Sequence, residues 1–183
     1  MSTGAWIAIG VIALIILYVI MAYNSLVKLR NWVKEAFSQI DVQLKRRHDL
    51  IPNLVETVKG YAKHEQETLD QVIQARNQLL NGSLQERIDA DNQIQTALKS
   101  IFALSEAYPD LKANQNFLQL QEELTTTENK VSYSRQLYNK TVAEYNIKRE
   151  SFPSNLIANM FGFHAEELLT IPTEEREVPT VKF

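Results

Sequence analysis

Apolar side chains fall into two regimes along this chain. From Ala5 to Tyr23 (AWIAIGVIALIILYVIMAY) they are almost unbroken, and no Asp, Glu, Lys, Arg or His precedes Lys28. From Val33 onward they return every third or fourth position, as Val33, Phe37, Ile40, Leu44, Ile51, Leu54, Val58 and Tyr61. The first pattern predicts a transmembrane helix over 5–23: at ~1.5 Å per residue the run spans roughly 28 Å, close to the ~30 Å hydrocarbon core. The second is a heptad seam and predicts long helices packed side by side, coiled-coil fashion.

The anchor is carried by Ala5, Trp6, Ile7, Leu14, Ile15, Leu17, Tyr18 and Tyr23, with Trp6 near one end and Tyr18 and Tyr23 near the other, as in the aromatic belts of membrane interfaces. A helix satisfies its own backbone polar groups, which a single segment in lipid must do. A cleaved signal peptide would need a positive leading region, a shorter apolar core and a small-x-small cleavage site, and MAYNSLV is a poor one. The segment is therefore expected to be an uncleaved signal-anchor. A buried core helix is disfavoured because nothing else in the chain is apolar enough to surround it. Residues 1–4 carry no charged side chain, whereas Lys28, Arg30 and Lys34 follow the span directly. The positive-inside tendency then places residues 1–4 outside and everything after Tyr23 in the cytoplasm.

The seam passes through Pro52, expected to kink the helix near His48 to Ile51 without dividing it, since Leu44, Ile51, Leu54 and Val58 keep register across it. Arg47 occupies a seam position; its stem is expected to snorkel with the charge in solvent, the alternative being a buried, paired arginine that fixes register. Asp41, Asp49 and Glu56 are expected to form solvated helical ion pairs with Lys45, Arg46 or Lys59. The helical pattern continues through Leu69, Val72, Ile73, Arg76, Leu79 and Leu80 and stops at Asn81-Gly82. Ser83 and Glu86 have capping-box spacing and open a helix whose seam, Leu84, Ile88, Ile94, Leu98 and Ile101, is interrupted by Asp91. That helix is expected to end at Tyr108-Pro109. A last long helix, from about Ala113 to Glu150, carries Phe117, Leu120, Leu124, Val131, Tyr138, Val142 and Tyr145 on its face. Apolar residues also lie off the seams: Leu26, Leu29, Trp32, Ala36, Leu50 and Val55 on the first helix, Leu118, Leu137 and Ile147 on the last.

The expected organisation is thus all-α: a short extracytoplasmic N-terminus (1–4), a transmembrane helix (5–23), an antiparallel long-helix bundle of three to four helices (24–151), a short apolar segment (152–163) and an acidic, extended or disordered tail (164–183). The apolar segment either packs on the bundle or forms a patch for membrane or a partner. Candidate interaction residues are Lys45, Arg46 and Arg47, and Leu156, Ile157, Met160, Phe161 and Phe163.

Composition narrows the chemistry. There is no cysteine, glycine and proline number five each, and the net charge is −3, too small to argue for nucleic acid. His48, His64 and His164 are isolated; His64-Glu65 lacks a histidine at position 68, which is Thr68. Ser25 and Lys28 match S-x-x-K without the companion motifs and sit at the end of the anchor. No catalytic residue, metal site, cofactor or small-molecule substrate is expected.

YNSLVKLRNWVKEAFSQIDVQLKRRHDLIPNLVETVKGYAKHE after the anchor, ALSEAYPDLKANQNFLQLQEELTTTENKVSYSRQLYNKTVAEYN and SFPSNLIANMFGF resemble the LemA family of bacterial membrane proteins. The resemblance covers nearly everything but the tail. It implies a bacterial inner-membrane protein with one span and a helical cytoplasmic domain. It supplies no enzymatic activity, and it suggests a setting near a membrane-bound zinc metalloprotease and envelope stress.

The function expected is therefore a membrane-anchored helical scaffold, contacting lipid and self-associating as a homo-oligomer; the alternative is a monomeric adaptor for a membrane-protein partner such as that protease. The flanking charges give a direct test of topology. A phosphatase active only outside the cytoplasm, fused after Phe183, is expected to be inactive, and clear activity would reverse the assigned orientation.

Overall fold

The computed structural model describes residues 3–61 and 66–170, and no strand occurs among them. Six helices follow in order: α1 (Thr3–Lys59), α2 (Gln66–Gln78), α3 (Leu84–Ser105), α4 (Pro109–Lys112), α5 (Gln115–Glu150) and α6 (Ser154–Met160). The fold is all-α, with a long apolar stretch at the N-terminal end of α1. The chain divides into two compact units. One comprises Met1–Ser38 with Gln136–Leu168, the other Gln39–Arg135 with Leu169–Phe183.

In the second unit, side-chain contacts give the helix directions. Asp41 and Arg47 of α1 meet Arg87 and Asp91 of α3, so these two helices run in parallel. Tyr61 meets Asn114, and Arg46 meets Glu123, so α5 runs back against α1. Arg76 of α2 reaches His48, and α2 returns along α1 after the turn at Gly60. The result is an up-down-up-down bundle, in which short connections join antiparallel neighbours. Its core holds Ile40, Leu44, Ile51, Leu54 and Val58 from α1, Leu69 and Val72 from α2, Ile88, Ile94 and Ile101 from α3, and Phe117, Leu124 and Val131 from α5. Phe102 and Phe117 meet edge-on, their centroids 6.2 Å apart.

Local chemistry sets the element ends. Ser83 and Glu86 form the expected capping box: the Glu86 N–H donates to Ser83 Oγ at 3.3 Å and the Ser83 N–H to Glu86 Oε2 at 2.7 Å. The Ser83 N–H, and the Ser83 hydroxyl donating to the same oxygen at 2.9 Å, hold the Glu86 carboxyl below its ordinary value. Gly82 precedes the box at φ +88°, where a Cβ would be strained.

The structure revises several expectations. The helical run does not continue to Leu80. It breaks after Lys59, where Gly60 lowers helix propensity, and the apolar rhythm persists because α1 and α2 face one core. Phe37 and Tyr61, assigned to the seam, are 37% and 40% exposed. Pro109 not only follows the end of α3 but opens α4, its fixed φ suiting a first helical position. Off-seam Leu26, Ala36 and Val55 are buried within this single chain. Of the tail, residues 164–170 have no regular secondary structure, and 171–183 lie outside the described residues, as does His64.

α1 continues through Pro52, as its register requires. A proline at 52 cannot donate to the carbonyl four residues back, which is that of His48. Arg76 takes over: its Nε–H donates to the His48 carbonyl at 3.0 Å. A backbone acceptor that would be an orphan is thereby paired from the neighbouring helix. Arg76→Ala should therefore cost about 1–2 kcal/mol in chemical denaturation of the full chain in detergent. Pro52→Ala, which restores the N–H, should leave stability unchanged or raised and should shrink the cost of Arg76→Ala. Equal costs in both backgrounds would disprove the compensation.

Candidate functional site

Two places concentrate polar or aromatic chemistry, one in each unit. The first lies where the apolar run of α1 ends. Between residues 3 and 23 the large side chains point outward: Trp6, Ile7, Leu14, Ile15 and Leu17 are all exposed, whereas Ala5 and Tyr18 are partly covered. α1 is the one helix among the described residues long and apolar enough to cross a membrane. At Tyr23 this changes. The Tyr23 ring meets Phe161 edge-on at 5.0 Å and Phe163 at 5.7 Å. Lys28, Arg30 and Lys34 follow, all exposed, with Lys28 Nζ 4.8 Å over the Trp32 ring.

The chain after α5 is fixed to that helix by its side chains. Arg149 Nε donates to the Phe163 carbonyl at 3.0 Å, Tyr145 Oη to the His164 carbonyl at 2.7 Å, Asn146 Nδ2 to the Glu166 carbonyl at 2.8 Å and Tyr138 Oη to the Glu167 carbonyl at 3.2 Å. The Glu166 N–H returns a bond to Asn146 Oδ1 at 3.1 Å. Backbone groups with no helix or sheet to serve them are thus paired one after another. Burial holds both phenols above their ordinary pKa, so they remain donors. The first part of the expected tail is irregular backbone docked on α5.

α6 is apolar on two faces. Ser154, Ile157 and Ala158 point inward; Leu156 and Met160, one turn apart, point outward, flanked by exposed Phe152 and Phe161. The segment thus packs through one face and leaves the other exposed. Ile157 and Phe163, expected to offer contact surface, are buried at 6% exposure each and serve packing.

The second place is the interior of the other unit. Arg47 is fully buried. Its Nη1 donates to Asp91 Oδ1 at 2.6 Å and its Nη2 to Glu128 Oε2 at 3.5 Å, while Gln95 also donates to Glu128. The expectation of a snorkelling Arg47 is therefore wrong. The wall of core residues leaves its charge no path to water, and the seam break at Asp91 is its counter-ion. Either defect alone reads as a solvent-facing polar residue; two of opposite sign on two seams are the signal that pairs them. Burial pushes the Asp91 carboxyl up, opposed by Arg47 and Arg135 and reinforced by Glu128. Lys45 and Arg46 are exposed, so 45–47 is not one basic surface. Lys45–Asp49 and Glu56–Lys59 are the expected local pairs, at 3.7 and 3.9 Å. Asp41 instead joins Arg87, and Arg46 joins Glu123 at 3.3 Å.

Neither place gathers the groups of a reaction centre. Among the described residues, no three His, Asp or Glu side chains come together as metal ligands. His48 sits beside Asp49 at 3.1 Å, and the groove between α2 and α3 is lined by Gln71, Gln74, Gln78, Gln93 and Thr96, none of which titrates.

These features define an all-α protein with one apolar helix of membrane-spanning length continuing into a helical bundle. The LemA family model matches residues 36–183, and the chain belongs to the LemA family. It is 27% identical over 163 residues to protein LemA of Metamycoplasma hominis, covering 85% of this chain and 74% of that one. It is 23% identical over 190 residues to magnetosome protein MamQ of Magnetospirillum gryphiswaldense, covering 88% and 70%. Magnetosome protein MamQ 2 of Paramagnetospirillum magneticum is 23% identical over 175 residues, covering 81% and 64%.

The buried pair yields a stability prediction. Asp91→Ala strands the Arg47 charge and should cost about 3–5 kcal/mol in denaturant unfolding, whereas Arg47→Met with Asp91→Leu should fall within about 1 kcal/mol of the parent or above it. A double variant as unstable as Asp91→Ala would mean that the pair stabilises the bundle outright.

Proposed function

We propose that this protein is a non-catalytic scaffold, held in a bacterial cytoplasmic membrane by residues 5–23 with its bundle on the cytoplasmic side, and that copies associate laterally to organise the membrane or maintain the envelope. The observation that carries the reading is the outward apolar face of α1 from Trp6 to Met21, whose large side chains are exposed among the described residues. Such a surface calls for lipid. Once anchored, copies share a plane and an orientation, so lateral contact costs less freedom than association from solution. Exposed Leu118, Tyr133 and Ile147 on α5 offer apolar points for that contact.

One observation favours a second reading, a monomeric adaptor that recruits a membrane-protein partner such as a metalloprotease. Leu26, Ala36 and Val55, a second apolar stripe on α1, are buried without another copy. Cross-linking in intact membranes at native expression separates the two. Lateral association predicts a ladder of bands above the dimer. A single monomer band, together with a soluble fragment from Asn24 onward that stays monomeric at high concentration, would replace the scaffold with the adaptor.

A further inference from the structure

We propose that the segment Phe152 to Phe161 is a second membrane contact: an interfacial foot whose outward face, Phe152, Leu156, Met160 and Phe161, rests in the headgroup–acyl boundary of the bilayer beside the anchor. The inference rests on residues 5–23 being a membrane anchor and adds a site to that reading. Three observations carry it.

Exposure comes first. Phe152 is 80% exposed, Met160 74%, Leu156 56% and Phe161 50%. No charged side chain lies between Glu150 and His164. Single exposed apolar residues are ordinary, but four large ones in a charge-free segment mark a binding surface.

Depth is the second. A tyrosine closing an apolar span sits at the membrane–water interface. Tyr23 is that residue, and the Phe161 ring lies 5.0 Å from it. Whatever depth Tyr23 takes, Phe161 takes nearly the same one. The patch is thus continuous with the lipid-facing surface of α1, which favours lipid over a soluble protein as its occupant.

Rigidity is the third. Ser154 Oγ donates to the Lys148 carbonyl at 2.6 Å, Ile157 and Ala158 are buried, and Arg149 clamps the Phe163 carbonyl. The patch is presented by a fixed inner face, so little ordering is needed on contact. Interfacial helices bury an apolar face to a depth of about 5–10 Å, which Leu156 and Met160 can reach from the level of Tyr23. A foot at this position would resist rotation and tilt of the helix about the anchor.

The absence of cysteine allows single-site labelling of the full chain. Phe152→Cys, Met160→Cys, Leu14→Cys and Thr126→Cys, all at exposed positions, would carry an environment-sensitive fluorophore in vesicles of phosphatidylethanolamine and phosphatidylglycerol. A lipid-borne nitroxide near the headgroup should quench the labels at 152 and 160 at least about twofold more than the label at 126, and a deep nitroxide should act most on the label at 14. Labels at 152 and 160 as open to aqueous iodide as the label at 126 would overturn the proposal. Labels shielded from both iodide and lipid would also overturn it, placing a protein on the patch. Failure of deep quenching at 14 would remove the anchor itself; quenching at 14 without quenching at 152 and 160 removes the foot alone.

Discussion

Arg47 cannot reach water, and the second unit is built around that fact. A guanidinium at zero exposure needs a counter-ion, and Asp91 supplies it at 2.6 Å from a helix 44 residues further along the chain. The contact sets how far α1 has slid and turned against α3, because a shift of one residue would strand both charges. Glu128 brings α5 into the same set. Burial pushes the Asp91 carboxyl up, and the Arg47 guanidinium opposes that push. Such a pair contributes register before stability, and the surrounding leucines and isoleucines supply the affinity between helices.

At two other places a side chain pairs backbone carbonyls that the helix ladder does not serve. The carbonyl of His48, deprived of its donor by Pro52, takes one from Arg76. The carbonyls of residues 163, 164, 166 and 167, outside any helix, are served by Arg149, Tyr145, Asn146 and Tyr138. In both cases a polar residue on a helix face looks like a flaw in the apolar pattern and is there to pair irregular backbone.

These interior features hold elements together, whereas the outward ones leave apolar side chains exposed. The LemA family match covers the bundle, residues 36–183, and the apolar part of α1 precedes it with its large side chains exposed. Tyr23 joins the two themes: it closes the apolar run and stacks against the segment after α5, so that residues more than a hundred positions away are held at its level. The proposed foot follows from this contact and from no motif.

What the sequence determined by itself is what depends on neighbours along the chain. The apolar run, the period of the seams, the capping box at Ser83 and the passage of α1 through Pro52 all follow from side chains within a few turns of one another. The seam of α5 from Phe117 to Tyr145 was legible for the same reason, its apolar positions facing the interior or close to it. Where a defect in the pattern points, and what it meets, is settled by packing between elements. A charge on a seam looks identical in sequence whether it snorkels or is buried; for Arg47 the difference lies in Asp91 and Glu128 beside it. The break after Lys59 was hidden because two helices turned toward one core keep one rhythm. The division of 152–163 into a packed and an exposed face depended on which side α5 and Tyr23 occupy. Periodicity is a property of one segment; the partner of a charge, and the side on which apolar surface is left over, belong to contacts between segments far apart in sequence.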